Sequence, residues 1–259
     1  MKRPSKIVIV IAGVATAGLM CICALGAIFV IVLKDVNSVT AADWGASHNT
    51  PGAALTLVEQ GRRAVAGSTH IDYTLTVTGL PSGLLYRLWY KPLDGAPAMF
   101  GGVNGPDLQI SPSGQVVTAA GPSTPIPLWI DRFAPGQAYQ VGLIAPGGKA
   151  RAFAKVIPFP IDARGPGACR ASVELMSFSG TLFVINGEGF EPNEDVSTQS
   201  DSGAPPVLTR RADSTGAVDI AVSPAVAGQQ SGLAAYSVSG RSCRLALNFA
   251  WGPPALQLQ

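Results

Sequence analysis

The sequence predicts an all-β fold, and three observations carry that prediction. Glycine (30 residues) and proline (21 residues) are frequent in a chain of 259, which suits many tight turns. The apolar runs between those turns are short and rich in Val, Ile, Leu and Thr, the composition of strands. Several of them alternate strictly between apolar and polar residues.

The N-terminus departs from this pattern. Residues 1–6 carry Lys2, Arg3 and Lys6, and residues 7–33 follow with no charge at all. At about 1.5 Å per residue a helix of that length exceeds the roughly 30 Å apolar core of a bilayer. The apolar stretch is also longer than that of a cleaved leader, which runs to about 7–15 residues. Residues 7–33 therefore read as a retained transmembrane helix in contact with membrane lipid. The basic residues before it place the N-terminus in the cytoplasm and everything after Val36 outside it, in a periplasm or on a cell surface. Gly13, Ala17 and Cys21 recur at four-residue spacing and form a stripe on which a second membrane helix can pack. Residues 34–52 lack any period and read as a stalk.

The first β-sandwich is expected over residues 53–162. HIDYTLTVTG (70–79) sets Ile71, Tyr73, Leu75 and Val77 on one face and Asp72, Thr74, Thr76 and Thr78 on the other. LLYRLWYK (84–91), QVVTA (115–119), IPLWID (126–131), AYQVGLIA (138–145) and ARAFAKVIP (150–158) follow, separated by Pro and Gly. APGGKA (145–150) reads as a hairpin turn with Lys149 in water. Residues 163–168 read as a linker, 169–251 as a second β-sandwich and 252–259 as a C-terminal tail. RASVELMS, GTLFVING, PVLTRRA, GAVDIAVS, LAAYSVS and CRLALNFA supply the strands of the second half. Cys169 and Cys243 are the two cysteines beyond the apolar span, and an oxidising compartment pairs them. Closing a loop of about 75 residues stabilises the second sandwich by about 4 kcal/mol in a chain-entropy account.

Three local resemblances sharpen the fold. RFAPGQAYQVGL (132–143) resembles the E–F corner of fibronectin type III and immunoglobulin-like domains, which implies that the Tyr139 hydroxyl bonds back to upstream backbone. Residues 75–103 are similar to the extracytoplasmic domain of RskA-type anti-sigma factors at Gly79, Leu80, Pro81, Tyr86, Leu88, Trp89 and Gly95. The six residues before the apolar span leave no room for the sigma-binding domain of that family, so the likeness carries fold alone. FVINGEGFEPNEDV (183–196) resembles a stretch of bacterial immunoglobulin-like surface modules at Gly187, Gly189, Phe190, Pro192, Glu194 and Val196. This resemblance implies a structural corner and no catalytic residue.

The same stretch has a competing reading, because Glu188, Glu191, Asn193 and Asp195 supply oxygen ligands of the kind calcium prefers. Their spacing follows no known calcium loop. Glycine and proline explain the backbone, so the turn is preferred, its carboxylates solvated, with no metal assigned.

Chemistry is sparse elsewhere. A net charge of +2 with 13% charged residues supplies no basic field for nucleic acid. The two histidines, His48 and His70, meet no G-x-S-x-G elbow, and GGVNGP and APGGKA lack the strand-to-helix context of a phosphate loop. His70 and Asp72 share a strand face by parity, but two ligands make no zinc site. No cofactor or catalytic residue is implied. Arg87, Trp89 and Lys91 share one face of a strand and mark a candidate contact surface for a protein or glycan; alternatively, the stems of Arg87 and Lys91 cover the indole. The expected function is a non-catalytic, membrane-anchored binding or adhesion protein of a bacterial cell envelope. An accessory subunit of a larger membrane complex is the alternative, and an envelope enzyme comes last.

Overall fold

A computed structural model of the chain describes residues 43–120, 125–201 and 207–259. The apolar span expected over residues 7–33, with Gly13, Ala17 and Cys21, lies outside the described residues. Among those described, no helix is long and apolar enough to cross a membrane.

The described chain is all-β, and every named strand pairing is antiparallel. In the first half, β1 (Ala54–Val65), β2 (Ser68–Thr78), β3 (Arg87–Lys91) and β4 (Ala98–Met99) are followed by β5 (Leu108–Ile110) and β6 (Val116–Thr118). Then come β7 (Leu128–Ile130), β8 (Tyr139–Ile144) and β9 (Arg151–Val156). They form sheets of order β1-β2-β7 and β4-β3-β8-β9, with β5-β6 as a separate pair. The alternation read in 70–79 is the inner face of β2: Ile71, Tyr73, Leu75 and Val77 are buried. They share one core with Tyr86 and Leu88 near β3 and with Val141 and Leu143 from β8.

The second half contains β10 (Ile161–Arg164), β11 (Arg170–Leu175), β12 (Phe183–Glu188) and β13 (Asp195–Ser200). β14 (Leu208–Arg211), β15 (Val218–Val222), β16 (Gly232–Ser239) and β17 (Arg244–Trp251) complete it. Two four-stranded sheets, β10-β11-β12-β15 and β14-β13-β16-β17, contribute to one core that includes Phe183, Ile185, Phe249 and Trp251. The Cys169 and Cys243 sulfurs are at bonding distance, with Cα atoms 5.9 Å apart. The bridge ties the start of β11 in one sheet to the start of β17 in the other.

Three segments differ from expectation. Residues 161–164, read as the end of the first sandwich and the start of a linker, pair with β11 as an edge strand. Gly165–Cys169 is the turn between them, closed by Gly165 N donating to Cys169 O at 2.9 Å. The later part of the expected stalk is docked on β9. Thr50 N donates to Arg151 O at 2.9 Å, Phe153 N to Asn49 Oδ1 at 2.8 Å, and Trp44 packs on Phe153 at 4.8 Å. These groups satisfy the free side of an edge strand, a protection such edges need. The tail is held as well: Ala255 is buried, and Gln259 N donates to Phe133 O at 3.1 Å.

The stretch expected as an E–F corner does different work. Ala134 is buried in the core of the second half, and Gly136 lies against β11: its carbonyl accepts from Leu175 N, while its N–H donates to Phe159 O between β9 and β10. A Cβ at Gly136 would lie 2.9 Å from Val173 O, and its φ of +76° suits glycine. A tyrosine bonding back to upstream backbone is present at Tyr86, whose hydroxyl donates to Pro81 O at 2.7 Å. Tyr139 instead meets Phe133 edge-on at 5.5 Å. Lys155 also reaches from β9 to Glu174 on β11 at 2.7 Å.

Candidate functional site

The acidic stretch 183–196 folds around Phe190. Three glycines leave room for that residue: an added Cβ at Gly187 or Gly240 would lie 2.7 Å from its ring, and one at Gly216 would meet its backbone. Gly189 is left-handed, with φ +79°. Glu194, grouped in the sequence with solvated carboxylates, is 3% exposed and accepts from Glu191 N at 2.9 Å and Arg241 N at 2.8 Å. Its carboxylate satisfies two turn N–H groups that would otherwise lack partners. The four calcium candidates do not converge. Glu188 pairs with Arg170 and Glu191 with Arg241. The carbonyl of Asn193 accepts from Arg211, and Asp195 is exposed.

The proposed contact face of β3 is not open. Trp89 is 7% exposed and packs with Ile144, Phe153, Trp44 and Met99. Its cover comes from the docked stalk and β9, a source that neither sequence reading included. Arg87 is engaged by Gly105 O and by Asp107. Lys91 forms no ion pair among the described residues.

Lys91 does line a cleft of about 690 Å³ in the first half. One side comes from β3 through Tyr90 and Lys91 and from the end of β4 and the residue after it through Met99 and Phe100; the other comes from β7 and the residues after it through Trp129 and Asp131. Gln137 and Tyr139 also line it. Aromatic surface is unusually open here: Tyr90 is 37% exposed, Phe100 43% and Trp129 54%.

Local structure explains the exposure of Trp129. Leu128 and Ile130 on the same strand are buried, so parity turns Trp129 to the opposite face. Its indole stacks on His70 at 4.8 Å with planes 24° apart. His70 Nε2 lies 3.4 Å from Asp72 Oδ1, within charge-pair distance but without hydrogen-bond geometry. The His70–Asp72 pair that sequence parity brought together thus backs an aromatic platform.

The polar groups of the cleft are few and distinct in character. Asp131, like Lys91, has no ion pair among the described residues. Gln137 Oε1 accepts from Ala134 N at 3.1 Å, and its NH2 has no protein acceptor among them. Burial, with a smaller contribution from the Tyr90 phenol, pushes the Tyr139 hydroxyl up to about 12. It therefore stays neutral at physiological pH and can both donate and accept. Arg132, next to Asp131, holds φ at +56°, a conformation that non-glycine residues rarely adopt and that concentrates near binding sites. A second hollow of about 720 Å³ lies beside Cys169, but Arg170 and Glu188 at its wall pair with each other.

The sequence reading does not single out Trp129, although it sits out of phase with Ile126, Leu128 and Ile130 in IPLWID. Tyr90 and Phe100 carried no comparable signal, because their exposure depends on where two sheets part. No family model matches the chain, and no curated protein matches it as a relative.

Proposed function

We infer that the chain is a membrane-anchored binding protein of a cell envelope, without catalytic activity. Residues 7–33 hold it in the bilayer, and two immunoglobulin-like β-sandwiches stand outside the cytoplasm. The observation that carries this reading is the cleft under Trp129: a preorganised aromatic face, further open rings, and unpaired polar groups beside them. Small-molecule sites have this mixture of mostly apolar walls and a few orienting polar groups. The Cys169–Cys243 bridge favours an oxidising, extracytoplasmic compartment. The glycine-lined seat of Phe190 and the buried Glu194 give the surface-module motif a structural reason.

A second reading, an accessory subunit of a membrane complex, draws on a different observation. Met176, Phe178 and Leu182 expose 39%, 54% and 43% of their surface around the β11–β12 connection. Such apolar residues suit contact with another protein.

One experiment separates the two. A photoreactive residue is placed at Tyr90 or at Phe178 of the full-length chain, and intact cells are irradiated. The binding reading expects an adduct from position 90; an adduct from position 178 alone overturns it in favour of the subunit. Protease added outside the membrane, with any outer barrier opened, should digest the C-terminal portion. A protected C-terminal portion overturns the topology.

A further inference from the structure

The chemistry of the cleft narrows the ligand class, and this step rests on the binding reading above. We propose that the cleft binds a neutral oligosaccharide, with one pyranose ring lying flat on the indole of Trp129. A pyranose presents C–H bonds on its face and hydroxyls around its edge. The C–H bonds, slightly positive, suit the negative face of an aromatic ring. Because His70 stacks against the indole, the platform is held in place before the ligand arrives, which lowers the ordering cost of binding. Tyr90 and Phe100 add open aromatic surface within the same cleft.

The polar groups fit the edge of such a ring. Sugar hydroxyls donate and accept, and the cleft has a donor in Lys91, an acceptor in Asp131, and groups of both kinds in Gln137 and Tyr139. One cation and one anion leave the site without net charge, which matches an uncharged ligand. The volume of about 690 Å³ has room for a short oligosaccharide.

A polypeptide fits less well. An added β-strand needs a long free edge, yet β7 has three residues and follows Pro127, and β4 has two. A proline-rich segment would cover Lys91 and Asp131 without offering hydroxyls to them, leaving two charges desolvated.

The test uses the full-length chain in a detergent without a sugar headgroup. Maltotriose, cellotriose, mannotriose and the trimer of N-acetylglucosamine are titrated in separately by calorimetry. At least one of them should bind. Trp129→Ala should weaken that binding by about tenfold, as loss of a stacking contact implies, with Trp129→Phe recovering part of it. Lys91→Met and Asp131→Asn should each weaken it several-fold. Unchanged thermal unfolding of each variant excludes misfolding as the cause. Absence of binding by all four trisaccharides overturns the proposal, and so does equal binding by Trp129→Ala. If the saccharides fail while the Tyr90 adduct still forms, the ligand class is wrong and the binding reading survives; if neither appears, both fall.

Discussion

At the scale of single residues, position within the turn decides what each carboxylate does. Glu194 and Asp195 are neighbours of similar chemistry. Glu194 is buried against two backbone N–H groups, whereas Asp195 lies exposed at the start of a strand. Charge-assisted bonds to backbone are among the stronger hydrogen bonds, and removing the acceptor leaves both donors without a partner. Glu194→Ala is expected to lower unfolding stability by about 3 kcal/mol, with Glu194→Gln milder because one acceptor oxygen remains. Asp195→Ala should change it by less than about 0.5 kcal/mol. Urea midpoints of the three variants check the order; equal midpoints for Glu194→Ala and Asp195→Ala would refute the assignment. Residue type alone does not separate the two, since a carboxylate in a turn is ordinarily solvated; only the resemblance to surface modules singles out Glu194, and it gives no reason for burial. What separates them is a contact with Arg241 N, far along the chain.

At the scale of elements, legibility follows the strength of the alternating pattern. β2 and β17 announce themselves because large apolar residues recur at every second position along each. β10 does not: its residues are IDAR, between Pro160 and Gly165, and only Ile161 and Ala163 turn inward, both partly buried. Pairing with β11 makes it a strand, and that pairing has no local signature. The interlock at Ala134 and Gly136 is equally silent, because small residues carry no periodicity and Gly136 finds its partners far along the chain, at Phe159 and at Leu175 on β11. The cysteine pair was readable because only two thiols follow the apolar span. Its bridge closes a sequence separation of 74 residues, so the chain-entropy argument assigns it about 4 kcal/mol. Reducing the protein, or replacing both Cys169 and Cys243 by Ala, should lower stability by about that amount. A denaturation midpoint unmoved by reductant would show that the bridge contributes nothing.

At the scale of the whole described chain, the two halves share more than a covalent connection. Successive β-domains often move against each other unless a large apolar interface joins them. Here the joint is built by insertion. Ala134 belongs to the core of the second half, Gly136 bonds β11 through its carbonyl, Lys155 reaches Glu174, and Asp94 accepts from Phe178 N at 2.8 Å. Opening the joint therefore exposes part of a hydrophobic core, and the two halves should unfold together. Calorimetry is expected to give one transition whose measured enthalpy equals the van't Hoff value, the signature of all-or-none unfolding. Gly136→Val should split it in two. A side chain there meets Val173 O and forces a β-branched residue to φ +76°, which costs about 2 kcal/mol or more and falls on the joint itself. The same insertion places Phe133, Gln137 and Tyr139 along the cleft, so the split variant should also bind ligand more weakly. Two separate transitions in the unaltered protein would mean that the joint does not couple the halves.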